Sequence, residues 1–281
     1  MMRFYAGPKA VAFKVLMFFL LLAGGCQSQT SQITPIVPSQ IPREFSDADW
    51  AHVLSAVATP DGYVKWNVVQ SDEDIRQALR RYIGLVDMVS PENHPDLFAT
   101  ASDRLAYWIN AYNAMCVYAV MEHDYPGNIM AFPPTGTIFS AERFFFGGRS
   151  MTLDDVVKDE IEPSGDPRLF FALSFCAASG PPLRSTPYDG AVLDAELVDQ
   201  GQRYLSDPRA AVRDGDAVKL NDLIGVTRKD DFLAGFQKMM GTAPTGILQA
   251  LQPYVHSDSP IVGATRVESL GFDWSLNRPP R

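Results

Sequence analysis

The seventeen positions from Leu105 to Met121 hold only two strongly polar residues, Asn110 and Asn113. A helix that is apolar on every side is buried on every side. This one falls short of the about 20 apolar residues that span a bilayer. It also carries three tyrosines and lies between Asp103-Arg104 and Glu122-His123-Asp124, so it is expected to be a central core helix. Asn110 and Asn113 stand one turn apart on one face. A buried amide without partners costs about 1–3 kcal/mol. Both are therefore expected to bond neighbouring backbone or side chains, with contact to a ligand as the alternative.

Around that helix the pattern is amphipathic or alternating. Ser46 is placed to cap a short helix with Trp50, Val53 and Leu54 on one face. Asp61-Gly62 turns into a short strand, Tyr63 to Trp66, and Ser71 with Asp74 reads as a capping box for a helix bearing Ile75, Leu79, Tyr82, Ile83 and Val86. Arg143 to Phe146, Gly147-Gly148 and Arg149 to Met151 spell a hairpin. Thr152 and Asp155 open a further helix, and Leu169 to Phe175 reads as a buried strand. Asp189 caps a helix through Leu205, and Asp214-Gly215 turns a small hairpin ending at Leu220. Helices near Asp230–Met240 and Pro244–Leu251 and a strand-like stretch from Arg266 to Trp274 complete the chain. Without a β-α-β rhythm, the fold class is α+β: a central buried helix with surrounding helices and small antiparallel strands.

The N-terminus departs from this pattern. Arg3, Lys9 and Lys14 precede the apolar run Val15 to Ala23, which has the length of a signal-peptide core rather than of a membrane span. It leads into Leu22-Ala23-Gly24-Gly25-Cys26, which resembles the bacterial lipobox, although Ala23 stands where such boxes often have leucine. The resemblance implies a signal peptide over 1–25, a lipidated Cys26, and a membrane as the first partner. Residues 27–42, rich in Gln, Ser, Thr and Pro, read as a flexible tether, giving a 26–44 anchor segment and a single globular domain over 45–281. Gln27 follows the cysteine where an aspartate would indicate inner-membrane retention, so an exported, outer-membrane location is favoured.

Charge and cysteine usage narrow the function classes. Without residues 1–25 the 24 Lys+Arg become 21 against 33 Asp+Glu, a net charge of −12. An acidic surface without a basic run disfavours nucleic acid as a partner. His52, His94, His123 and His256 are scattered without a neighbouring ligand at zinc spacing, so no metal and no cofactor is assigned. In an oxidising compartment Cys116 and Cys176 either pair or remain as buried thiols.

Several segments carry a resemblance. These are Asp61-Gly62-Tyr63-Val64-Lys65-Trp66, Ala106-Tyr107-Trp108-Ile109-Asn110-Ala111-Tyr112-Asn113-Ala114, Gly147 to Asp155, Asp166-Pro167-Arg168 to Leu173, Ser179 to Arg184 with Tyr188, and Phe272 to Asn277. Together they resemble the bacterial domain of unknown function numbered 547, over about residues 61–235 plus the C-terminal tail. Many bacterial members look like exported proteins or lipoproteins. Typical members place a histidine before the Phe-Ala-Leu stretch and a cysteine before Pro-Pro, the minimum for thiol nucleophilic catalysis. Here Phe170 and Gly180 stand at those positions, and Cys176 lies one position from an earlier family cysteine.

Two function classes remain. One is a non-catalytic binding or interaction domain for a small molecule or protein, its pocket floored by the central helix and rimmed by Ser179 to Tyr188. In it Asn110, Asn113, Arg184 and Tyr188 are the candidate ligand contacts, Arg184 pairing either with an anionic ligand or with an acidic neighbour. The other is a hydrolase or acyl-transferase using Cys176 or Ser179, with His123 or His256 brought from elsewhere. A ring nitrogen within about 4 Å of either nucleophile separates them.

Overall fold

A computed structural model describes residues 34–130, 137–227 and 229–280. The signal segment, Cys26 and the tether up to residue 33 lie outside the described residues. Residues from Ile33 onward form one compact unit.

Helix α1 (Ala48–Val57) starts after Asp47, one residue beyond the expected Ser46 cap, and buries Trp50, Val53, Leu54 and Val57. The strand expected at Tyr63 to Trp66 is reduced to one bridge, Ala58 to Val64, because helix α2 (Trp66–Ser71) begins at once. Helix α3 (Glu73–Met88) is capped by Asp72, whose carboxylate accepts from the Asp74 and Ile75 N–H groups. Ser71 is instead the last residue of α2, its hydroxyl donating to the Asn67 carbonyl. Helix α4 (Ala101–Glu122) is the anticipated core helix, with every residue from Ala106 to Met121 buried. Thr100 and Asp103 cap it reciprocally at 3.0 and 2.9 Å, a capping box not read from the sequence.

The hairpin β1 (Phe144–Phe146) and β2 (Arg149–Met151) pairs in the expected antiparallel register around Gly147 and Gly148, both in the left-handed region. Thr152 and Asp155 cap helix α5 (Leu153–Val156), which continues through a wide turn to Ile161. The Leu169–Phe175 run is not a strand. Helix α6 (Leu169–Ala172) occupies its first half, after Asp166 accepts from the Arg168 N–H at 2.9 Å. An apolar run this short fits a buried strand and a buried helical turn equally. Among the described residues no strand pairs with it: the Ala172 carbonyl and the Ser174 N–H find their partner in Asn113.

Helix α7 (Leu193–Leu205) leads into β3 (Ala211–Asp214) and β4 (Ala217–Leu220), then α8 (Lys229–Met240), α9 (Ile247–Leu251) and β5 (Arg266–Ser269). Strand β4 pairs antiparallel with β3 and parallel with β5, so the small sheet is mixed rather than wholly antiparallel. The stretch expected as one strand to Trp274 breaks at Gly271 (φ +80°) and resumes as single bridges at Ser275 and Leu276. The fold is α+β, as the pattern implied.

The apolar interior has two parts. The larger surrounds α4. The smaller gathers Tyr204, Phe232, Phe236, Leu251 and Tyr254 from α7 to the turn after α9, with Phe171 of α6 inserted among them. The Phe171 ring lies 5.5 Å from Phe232 and 5.8 Å from Tyr254, separations at which edge and offset ring contacts are attractive.

Candidate functional site

The two amides of α4 bracket the segment that follows α6. Asn113 Nδ2 donates to the Ala172 carbonyl at 3.0 Å and its Oδ1 accepts from the Ser174 N–H at 2.7 Å. One turn earlier, Asn110 Nδ2 donates to the Tyr188 carbonyl at 2.8 Å and its Oδ1 accepts from the Tyr188 N–H at 2.9 Å. Each amide thus meets a backbone donor and acceptor pair, as an adjacent strand would. Both were candidate ligand contacts; the structure commits their polar atoms to chain 172–188 instead.

That chain is covered rather than open. The C-terminal residues 273–277 run beside it: Ala178 N–H donates to the Ser275 carbonyl at 2.8 Å, Ser179 N–H to Asp273 at 3.1 Å, and Asn277 N–H to Cys176 at 2.8 Å. Gly180, Pro181, Pro182 and Leu183 are buried. Gly62 closes the other side. Its φ is +74°, and a Cβ there would stand 2.1 Å from Pro182 Cβ, so only glycine fits. The Gly180–Leu183 part of the loop expected to rim a pocket is therefore interior wall, while Ser185 and Thr186 remain exposed.

The candidate nucleophiles are disposed accordingly. Cys176 is 1% exposed, and burial pushes its thiol well above the ordinary range, with no imidazole acting on it among the described residues. Cys116 is likewise buried and pushed up, and both thiols are free. Ser179 Oγ accepts from the Asp273 N–H at 3.0 Å, and the Ser179 carbonyl accepts from the Tyr204 hydroxyl at 2.8 Å. Neither histidine proposed as a base is shown beside a nucleophile: His123 Nε2 meets Glu142 at 2.6 Å on the surface, and no contact links His256 to either nucleophile among the described residues.

Arg184 pairs with Glu196 at 3.1 Å and Asp199 at 3.0 Å, and its guanidinium lies 5.1 Å from the Tyr188 ring centroid. Its charge is matched by the acidic neighbours, the second of the two readings for this residue. Tyr188 is buried, and its hydroxyl has no hydrogen-bond partner among the described residues.

A cleft does exist, at the seam between the two cores rather than beside the Ser179–Tyr188 loop. It encloses about 290 Å³ between the Val157–Leu173 stretch and α8. Val157, Ile161, Leu169, Phe170 and Leu173 give it an apolar floor, and Glu162, Asp166, Asp231 and Lys238 stand on its rim. Lys238 Nζ donates to the Pro163 and Ser164 carbonyls at 3.2 and 3.3 Å, fastening α8 across one end. Phe170, where the resemblance implied a histidine, is part of this floor. No sequence signal pointed to this cleft; only folding shows that position 170 faces a concave surface. Among the described residues no group of three or more His, Cys, Asp or Glu side chains is placed to hold a metal ion. No described helix is long and apolar enough to cross a membrane.

Comparison with known proteins gives one match: the family model described as "Protein of unknown function, DUF547" covers residues 98–205. This supports the family resemblance over α4, the hairpin, α6, the bracketed loop and α7, a narrower span than the residues 61–235 expected. The Asp61–Trp66 and Phe272–Asn277 motifs fall outside it, yet both pack on the matched segment through Gly62 against Pro182 and Asn277 against Cys176. No curated protein and no solved structure matches the chain.

Proposed function

We propose that this chain is an exported lipoprotein, held through Cys26 on the periplasmic side of a bacterial outer membrane, whose folded domain binds a partner rather than transforming one. The signal-like segment, the Gly24-Gly25-Cys26 junction and Gln27 support the anchoring. The observation that carries the binding reading is the fate of position 170. Where the resemblance implies an imidazole, a phenyl ring lines an apolar cleft, while Cys176 is buried and the Ser179 hydroxyl is held by the Asp273 N–H. Clefts with an apolar floor and a few polar rim groups are the usual form of small-ligand sites.

The floor is apolar, and the rim carboxylate Asp166 is already paired with Arg168 at 2.7 Å. The cleft therefore suits a partner presenting an uncharged apolar group, either a small molecule or a peptide side chain. The test is titration of the full-length protein with the neutral fluorophore N-phenyl-1-naphthylamine. Ala234 is exposed at the cleft mouth, and Ala234→Trp should fill it and weaken binding at least tenfold. Equal binding by the variant would remove the cleft from consideration. Intact-mass analysis of the native protein should show a lipid-modified N-terminus at Cys26, and Cys26→Ser should leave an unprocessed or soluble product. An unmodified N-terminus at another residue would end the lipoprotein reading.

A further inference from the structure

The residues nearest the anchor do not hang free of the domain. Ile36 N–H donates to the Arg80 carbonyl on α3 at 3.1 Å. Gly84 of α3 has no room for a Cβ, which would stand 2.1 Å from the Ile36 carbonyl oxygen. Pro35 lines a groove with Phe144 and Phe145 of β1, and Ile36 lines another with Pro38, Pro42 and Leu85. The second half of the expected tether is thus part of the folded surface.

That segment and β1 carry several exposed apolar side chains. Ile36 is 41% exposed, Val37 52%, Ile41 50% and Phe145 53%. Single exposed apolar side chains need no explanation, but several on one face mark an interaction surface. The chain length selects the occupant. Eight residue steps separate Thr34 from Cys26, so even a fully extended chain keeps this face within roughly 28 Å of whatever holds the cysteine. The charges in the two grooves do not invite an anionic surface: Arg81 is paired with Asp49 and Arg143 with Asp155, leaving carboxylates in excess.

We propose that residues 35–42 and the β1–β2 hairpin form a membrane-seating face, laid by hydrophobic contact on the zwitterionic lipid surface that holds Cys26. The inference rests on the lipoprotein reading and adds a fixed orientation to it. Seating leaves the orientation of the cleft to the rigid fold rather than to a swinging linker. Because two weak attachments on one short tether reinforce each other through effective concentration, the face need not bind strongly alone.

The experiment uses full-length lipidated protein in phosphatidylcholine liposomes, nitroxide-labelled at Val37→Cys, Phe145→Cys or, as a reference, Val262→Cys. Val262 is exposed beside β3 in the second core, and Cys116 and Cys176 are too buried to take the label. The expected result is an oxygen-to-nickel-complex collision ratio at 37 and 145 at least threefold above that at 262, reduced when anionic lipid is added. Equal ratios on a protein whose mass shows lipid on Cys26 would overturn the seating and leave the lipoprotein reading standing. A mass without lipid would overturn both. Spin–spin broadening between copies at 37 or 145 would assign the face to a second copy of the chain and also overturn the proposal.

Discussion

Asn110 and Tyr188, 78 positions apart, exchange two hydrogen bonds at 2.8 and 2.9 Å, the side chain of one standing in for a strand beside the backbone of the other. Both groups are buried, so water cannot replace what a substitution removes. A loop of this length would otherwise leave backbone polar groups unsatisfied inside the protein.

Asn110→Ala should therefore cost about 2–6 kcal/mol, since each of the two buried groups left unpaired costs about 1–3 kcal/mol. Asn110→Asp should lose the donor at neutral pH and regain it when protonated, so its melting temperature should climb toward that of the parent as pH falls. Asn110→Leu should show no such recovery. Thermal melts at several pH values read this out, and an Asn110→Ala variant within about 0.5 kcal/mol of the parent would contradict it.

Trp108 is 3% exposed and lies 5.0 Å from the Tyr107 ring centroid and 5.7 Å from that of Phe146. Trp108→Ala should cost about 3–5 kcal/mol through lost burial and the cavity left behind. A large part of a typical 5–15 kcal/mol stability would be gone, and urea denaturation should show an early midpoint. An unchanged midpoint would mean that α4 is not packed as described.

Burial pushes the Asp87 carboxyl up to about 7 and that of Asp47 up to about 6, the latter against the Tyr82 hydroxyl, which donates to it at 2.6 Å. Both sit above the about 3.9 of an unfolded aspartate, so the folded state holds these protons more tightly. Their contribution to stability is complete below about pH 4 and is lost as pH rises toward 7. Asp216, held down to about 2 by Arg266, acts in the opposite sense but only in stronger acid. Unfolding free energy should accordingly fall between pH 4 and 7, and Asp87→Asn should flatten part of that slope. Stability rising across the window would refute the assignment.

Cys176 should resist iodoacetamide at pH 7 in the folded protein and react at the rate of a model thiol once unfolded in urea, with or without prior reductant. The reactive species is the thiolate, and burial disfavours it here. Rapid alkylation that persists down to pH 5 would instead reveal an activated nucleophile and revive the hydrolase reading.

Much of the architecture was legible in local pattern. The core helix followed from seventeen nearly unbroken apolar positions, the first hairpin from Gly147-Gly148, and α5 from Thr152 and Asp155. In each case the determining interaction lies within a few residues. The strands expected at 63–66 and 169–175 failed for the opposite reason. A strand needs a partner, and at both places the backbone found something nearer: the start of α2 in one, the Asn113 amide in the other.

What the sequence by itself determined is the class of each candidate residue and the departures at Phe170 and Gly180. Chain order also set Cys26 only eight positions before the described domain. Only the tertiary structure decided what those residues face. Asn110, Asn113 and Arg184 could be ligand contacts in a sequence, because an amide or guanidinium is equally suited to a ligand or to the protein's own backbone and carboxylates. Folding brought Tyr188, Ala172 and Ser174, Glu196 and Asp199 to them from distant positions, and a buried polar group bonds whatever polar group is brought to it. The cleft likewise arises where two cores meet, and no local pattern encodes the gap between surfaces contributed by segments far apart in the chain, residues 157–173 and 231–238.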